Sequence, residues 1–249
     1  MHNADPMNTS TRHAPLPNPG GLHKLQSALV AVSLSDGEAM AAIVEDKEYH
    51  LDVVVFQVEN VLFKVPKYPF TDSGGVFGTL FSLPTPADSG CGEAEGSSNA
   101  NPIRLDQTKV DDFRAFLKVL IPKSVPAKYD LSLAEWTSVL ALSTKWDFDD
   151  MRNFAIESMS PILKEKHVWK VVLGQQYHVR SWLKEGCMHL VTRWSGPSKD
   201  EAAQLGLEIT VTIYLIREKM LRCRGVYDVA KAVEDEFATE LGVEGPSTS

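Results

Sequence analysis

Cysteine is scarce in this chain. Its three copies, Cys91, Cys187 and Cys223, are odd in number and far apart, so they offer no disulfide framework of the kind that staples small secreted domains. Long apolar runs are missing too: Ala28-Leu29-Val30-Ala31-Val32 stops at Ser33, against the roughly 20 residues of a bilayer-spanning helix. Residues 1–21 hold Pro6, Pro15, Pro17 and Pro19 and no hydrophobic stretch, so no secretory leader is expected there. Positive charge is in deficit, with 25 Lys and Arg against 33 Asp and Glu and a net charge of −8. That balance disfavours a surface that tracks nucleic-acid phosphates. The expectation is an intracellular protein of cytoplasm or nucleus, with neither nucleic acid nor membrane among its partners.

Catalytic signatures are as sparse. There is no G-x-S-x-G nucleophile turn, and Ser73-Gly74-Gly75 matches neither a dinucleotide fingerprint nor a phosphate loop. A glycine-rich helix start does expose amides to anions, yet a flexible helix start is the simpler reading. Asp147, Asp149 and Asp150 group three carboxylates, which capping and the helix dipole explain without a metal ion. Lys109, Arg114, Lys118 and Lys123 form a basic stripe, but Asp106, Asp111 and Asp112 are interleaved with it, as on a solvated helix face. Soft and imidazole ligands stand at His178, Cys187, His189 and Cys223, without the short-spaced pairs that zinc sites use. Cys187 also falls on an apolar stripe, where a thiol acts as a small hydrophobe. No enzyme, cofactor or metal is therefore expected. A zinc-stabilised regulator or metal-dependent enzyme built on those four residues is the competing reading.

What the chain does hold is a core. Its 249 residues are 43% hydrophobic and 23% charged, enough for one large domain or two small ones. A short helix is plausible over Glu38 to Asp46. From Asp52 to Val58 the density of β-branched residues predicts a strand buried on both faces. Glu59-Asn60 breaks it, and Val61, Phe63 and Val65 continue as a second strand to Pro66, giving a hairpin. Val76, Phe77, Leu80 and Phe81 space as one face of a short helix. Residues 84–102 read as a loop, and Ile103-Arg104-Leu105 as a short strand.

Helices follow. Thr108 with Asp111 resembles a capping box ahead of a Phe113, Phe116, Leu117, Leu120 stripe that Pro122 stops. Ser132-x-x-Glu135 opens a helix burying Trp136, Val139, Leu140 and Ser143. Asp147 is expected to cap a third, with Met151, Phe154, Ala155, Ser158 and Met159 inward and Pro161 closing it. Trp169, Val172, Leu173 and Gln176 mark a fourth. Leu183, Cys187, Leu190, Val191 and Trp194 mark a fifth. Residues 205–216 conflict: strict alternation from Leu205 to Leu215 is a strand pattern, yet Ile209, Ile213, Ile216 and Met220 share a helical stripe. Val229, Val233 and Phe237 suit a short amphipathic helix in the acidic tail. The tryptophans are expected in the core, with one or two left at an interface.

Taken in order, these segments resemble a known family. Asp52-Val53-Val54-Val55-Phe56-Gln57-Val58-Glu59 and Leu62-Phe63-Lys64-Val65 are similar to the opening of a BTB/POZ domain. Val76-Phe77 with Leu80-Phe81-Ser82-Leu83-Pro84, Glu95-Gly96-Ser97-Ser98 with Asn101-Pro102-Ile103-Arg104-Leu105, and Ala141 to Phe148 resemble the expanded BTB family of mushroom-forming fungi. Val172 to Val179 with Trp182-Leu183, and Leu205-Gly206-Leu207-Glu208, are similar to its downstream helices. The resemblance runs from about Tyr49 to Arg222 and favours helix at 205–216. It implies an α/β BTB/POZ fold, a small β-sheet with flanking helices, followed by an all-α helical extension. The implied division is a mostly disordered segment at 1–44, the BTB/POZ domain at 45–160, the extension at 161–225 and an acidic tail at 226–249.

The implied role is a non-catalytic protein–protein interaction module that mediates homo- or hetero-association. Some relatives bridge a cullin-type ligase scaffold to a substrate in ubiquitin ligation, and others act in transcription complexes. Asp52 and Lys67 carry over as interaction residues, lining a charged groove at the dimer contact of relatives. Two positions depart from the family: Pro66-Lys67 stands where His with Arg or Lys is common, and Gly74 takes the place of a helix-opening Ser.

Overall fold

A computed structural model describes residues 44–46, 48–72, 74–83, 93–124, 126–223 and 225–238. The chain divides into two units, residues 1–47 and 48–249. Residues 44–46 hold no regular element, and the rest of this section concerns the second unit. The expectations for 1–43, the Glu38–Asp46 helix up to Ile43 and the loop at 84–92 lie outside the described residues.

The second unit is mixed α/β. Strand β1 (Val53–Val58) pairs antiparallel with β2 (Val61–Pro66), and the Val58↔Val61 register leaves Glu59-Asn60 as the two-residue turn. Glu59 takes a left-handed φ of 51° there. Strand β3 (Ile103–Arg104) pairs parallel with β1, so the sheet order is β2-β1-β3 with β1 central. A central strand loses water on both faces, which is why Val54, Val55, Phe56 and Val58 are all buried.

Two helices connect the hairpin to β3. The first, α1 (Tyr68–Asp72), has no counterpart in the sequence expectations; Pro69 suits its first turn and Phe70 is buried. The second, α2 (Gly75–Ser82), falls where the apolar spacing put it, but buries only Phe77 fully and leaves Val76 and Leu80 exposed. Its N-cap is Gly74 at φ 68°, a left-handed conformation that a Ser would adopt only under strain.

Helices α3 (Val110–Leu120), α4 (Leu133–Lys145) and α5 (Asp149–Ile162) pack in succession. The capping box at Ser132 and Glu135 forms as expected. Two other caps do not. Thr108 turns its hydroxyl to the Asp106 carbonyl, and the first amide of α3, on Val110, donates instead to Glu59 Oε2 at 3.2 Å. Asp147 adopts φ 58°, one residue before the N-cap Phe148, where its side chain caps nothing. Pro161 lies inside α5 rather than after it. The expected stripes of α3 and α4 face inward, with Phe113, Phe116, Trp136, Val139, Leu140 and Ser143 buried.

Five further helices follow among the described residues: α6 (His167–Gln176), α7 (Arg180–Thr192), α8 (Lys199–Leu205), α9 (Leu207–Arg222) and α10 (Val229–Glu236). The stripe expected on α6 is met in part. Leu173 is buried as expected, in the sheet-side cluster, and Val172 is half-buried, but Trp169 and Gln176 are exposed, while Val171 and Gly174 face α7. Close packing sets the contact face: a Cβ on Gly174 would stand 2.6 Å from the Leu183 amide nitrogen, and one on Gly186 would stand 2.8 Å from the His167 carbonyl. The two axes approach through glycine, so the wide Trp169 is turned outward. Leu183, Cys187, Leu190 and Val191 are buried as expected, but Trp194 is not.

Two hydrophobic clusters result. The first joins the sheet, α1–α5 and the inner ends of α6 and α7, through Leu173, Val179 and Trp182. Its centre is a web of rings: Phe56 lies 4.9 Å from Phe70 and 5.5 Å from Phe77, and Trp146 lies 5.1 Å from Phe116, the last two edge to face. The second is aliphatic, with Val171, Leu183, Cys187, Leu190, Val191, Ile209, Ile213 and Ile216, closed by Val233 and Phe237 of the tail helix.

Candidate functional site

The register of the hairpin places the two expected interaction residues side by side. Val53 opposes Pro66, so Asp52 and Lys67 flank the last rung, and the Lys67 amide donates to the Asp52 carbonyl at 2.8 Å. Both side chains line a recess of about 330 Å³ that also takes in Leu80, Phe81, Glu95 and Gly96. Lys67 Nζ stands 4.7 Å from the centre of the Phe81 ring, a cation–π contact worth roughly 0.5–1 kcal/mol at an exposed site. Its lining also includes exposed apolar side chains, Val53, Leu80 and Leu83.

The opposite wall is held by backbone. The Val55 amide donates to the Gly96 carbonyl at 2.8 Å, and the Gly96 amide donates to the Asn101 carbonyl at 2.7 Å, pinning 93–101 against β1. Gly96 has φ 82°, and a Cβ there would meet Ile103 Cδ1 and Val54 Cγ2 at 2.9 Å each. Only glycine satisfies both the conformation and the contact. Asp52 and Lys67 were accessible to sequence reasoning through the resemblance. Glu95 and Gly96 were not singled out for this recess, because the bond that brings them to β1 is made by main chain.

A second recess, of about 620 Å³, lies between α3 and α5 and is lined by Leu120, Tyr129, Phe148, Asp149, Asp150 and Phe154. Two of the three clustered carboxylates open onto it; Asp147 is not among its walls. Two of the four cations of the basic stripe are tied into ion pairs: Arg114 meets Asp111 at 2.9 Å and Lys118 meets Glu135 at 2.5 Å. Glu135 is held down to about 2, chiefly by the Lys118 ammonium and then by the Ser132 amide. That is the electrostatics of a helix face in water.

The four residues of the metal reading do not converge. Cys187 is buried in the aliphatic core, Cys223 is exposed after the last turn of α9, and His178 is exposed at φ 53° in the α6–α7 turn. Among the described residues no three His, Cys, Asp or Glu side chains group closely enough to hold a metal ion. His189 instead stacks on His167, which sequence spacing had not singled out, with ring centres 3.4 Å apart. The zinc-stabilised or metal-dependent alternative thus loses its ligand set: one sulfur is walled in by apolar packing, and one imidazole is committed to a ring stack.

Among the described residues, no helix is long and apolar enough to cross a membrane. No family model, curated protein or solved structure matches the chain.

Proposed function

We propose that the chain is a non-catalytic protein–protein interaction module with a BTB/POZ fold, acting by homo- or hetero-association. One observation carries the reading: Asp52 and Lys67, at the end of the hairpin, bring opposite charges to one recess whose lining also holds the exposed apolar side chains of Val53, Leu80 and Leu83. Opposite charges set in apolar surface give a contact both its drive and its register. The mixed sheet with its parallel third strand, the helices around it and the helical region that follows agree with the resemblance read from the sequence.

Across a two-fold contact, Asp52 of one copy would meet Lys67 of the other. Sedimentation equilibrium of the full chain should then show a monomer–dimer transition. Asp52→Lys and Lys67→Asp should each weaken it, and the two together should restore it. Single changes without effect on mass, or a pair no better than either one, would remove the contact from this end of the sheet. Binding of a purified cullin-type scaffold, displaced by the same changes, would narrow the role to an adaptor in ubiquitin ligation. Association with a transcription complex by the same face would place it there instead.

A further inference from the structure

The alternation that made 205–216 look like a strand is resolved by α9 having two apolar faces. Ile209, Ile213 and Ile216 point into the aliphatic core. Leu207, Val211, Tyr214, Leu215 and Leu221 lie on the opposite face in water, Leu207 at 81% and Leu221 at 74% of full exposure. Leu207, Val211 and Tyr214 recur at steps of four and three, the seam spacing of paired helices; the next seam position is Glu218, paired to Arg222, and Leu221 follows it. The seam is about 21 Å long at 1.5 Å per residue.

A second observation lies beside it. Trp194 is 100% exposed, on a loop that is tightly held. The Arg217 guanidinium donates to the carbonyls of Arg193 at 2.7 Å and Trp194 at 3.1 Å. The Tyr214 hydroxyl donates to the Pro197 carbonyl at 2.8 Å, and its ring fills the space where Gly196 would carry a Cβ. A rigid loop thus holds a bare indole next to a bare apolar seam. Rigid aromatic anchors of this kind dominate the energy of protein contacts.

Charge decides the occupant. The seam begins beside Glu208, which makes no ion pair among the described residues, and ends beside Arg222, paired only within its own helix to Glu218 at 2.6 Å. One end is acidic and the other carries the exposed Glu218–Arg222 pair, so in a reversed copy each Glu208 faces an end where Arg222 is the cation. We propose that α9 is a self-association surface, on which a second copy of this chain packs its own α9 antiparallel, seam against seam, with Trp194 at the edge of the contact. Such an isologous pairing sets each Glu208 against the Arg222 end of the other copy, and it opposes the helix dipoles. The surface belongs to the aliphatic half and needs nothing from the Asp52/Lys67 recess.

The test uses the full chain. Val211→Glu, at an exposed position, should leave the melting temperature unchanged and raise the dimer dissociation constant by about tenfold or more, and Trp194→Ala should weaken it in the same sense. In a Cys91→Ser background, Leu207→Cys should be joined by a short bismaleimide to Cys223 of the other copy, giving a covalent dimer. With Cys223→Ser added, linkage should be lost; dimers that persist would join 207 to 207 and overturn the antiparallel order. A chain that stays monomeric at high micromolar concentration would overturn the proposal. So would a dimer that Val211→Glu leaves intact while Asp52→Lys abolishes it, and that outcome would leave the proposed function standing.

Discussion

The two cores of this chain are built from different materials. Around the sheet, seven rings from Phe56, Phe70, Phe77, Phe113, Phe116, Trp146 and Phe148 meet mostly edge to face, and among the described residues no charged side chain is buried with them. In the helical half the core is branched aliphatic, and charge is drawn into its margins. Lys170 and Arg217 are both buried, the first paired to Glu185 at 2.7 Å and the second spread over four carbonyls. Packing of rings depends little on pH or salt. Buried charges fix geometry only while every partner is present. Above the carboxylate range of pH, the sheet half is therefore expected to resist solution conditions, and the helical half to respond to them.

The largest effect should come from breaking the ring web. Phe56 touches Phe70, Phe77 and Phe113 at centroid distances of 4.9, 5.5 and 5.7 Å and is fully buried. Truncation leaves a cavity walled by rigid rings that cannot collapse into it. Phe56→Ala should cost about 3–5 kcal/mol, read as a lowered urea midpoint at unchanged slope. Hydrogen exchange should show protection lost first in α3–α5. A loss under about 1 kcal/mol, the scale of an Ile to Val change, would mean the rings are not what holds this half.

Next in size is the strut of the other half. Arg217 Nη1 and Nη2 together satisfy the carbonyls of Leu190, Val191, Arg193 and Trp194, the last turn of α7 and the loop after it. Arg217→Met keeps much of the stem volume and strips those acceptors of their donor. Orphaned buried acceptors cost about 1–3 kcal/mol, so a loss near 2–3 kcal/mol is expected, with tryptophan fluorescence and exchange changes confined to 190–217. If exchange in α3–α5 changed as much, the two halves would be one cooperative body and the comparison would fail.

A smaller effect separates caps from cores. Ser132→Ala removes the hydroxyl that receives the Glu135 amide at 3.2 Å and should cost about 1 kcal/mol. The same site has an acid limb. Glu135 is held at about 2, below its ordinary 4.5, so its contribution is present above the ordinary value and fades as pH falls from there through the folded one. In Lys118→Met, which removes the first cause of that depression, the acid limb below pH 4.5 should flatten. An unchanged acid limb would place the charge coupling elsewhere.

Much of the fold was legible because local rules and tertiary packing agreed. The hairpin from Val53 to Pro66, the box at Ser132 and the inward rings of α3 and α4 follow from alternation, capping and helical spacing. Legibility ended where a long-range contact outbid a local preference. Val110 is capped by Glu59, a residue of the hairpin turn 51 positions earlier, so Thr108 was left a role it does not fill. Trp169 was given a place on the α6 stripe that it does not take, because glycine, invisible to a hydrophobic stripe, chose the contact face. The strand-like pattern of α9 came from two apolar faces on one helix, a case that alternation cannot distinguish from a strand. For the site, the pair Asp52 and Lys67 could be read ahead only through the resemblance; the hairpin register that sets them side by side came with the structure. The wall at Glu95 and Gly96 could not, because it hangs on main-chain bonds across 41 positions, from Val55 to Gly96.

The last and smallest expected effect is a slope with pH around the ordinary histidine value, well above the Glu135 limb, and it belongs to the helical half alone. His167 and His189 stack face to face across α6 and α7, and among the described residues His167 Nδ1 is buried without a hydrogen-bond partner. Burial pushes His167 below its ordinary 6.5, and the neighbouring His189, Lys170 and Arg193 push the same way. Glu165, at 4.0 Å, is the one group raising it. A base with a lowered folded value binds fewer protons folded than unfolded across the window at and below 6.5, so stability must fall as pH drops through that window. Acidification should therefore lower protection in α6, α7 and α9 while α3–α5 hold theirs. His189→Gln removes one charge and keeps a flat polar group in place of the stacked ring; the slope should shrink and the neutral-pH stability change little. An undiminished slope in that variant would move the pH response off the histidine stack, and an equal slope in the ring-built half would abolish the contrast between the two cores.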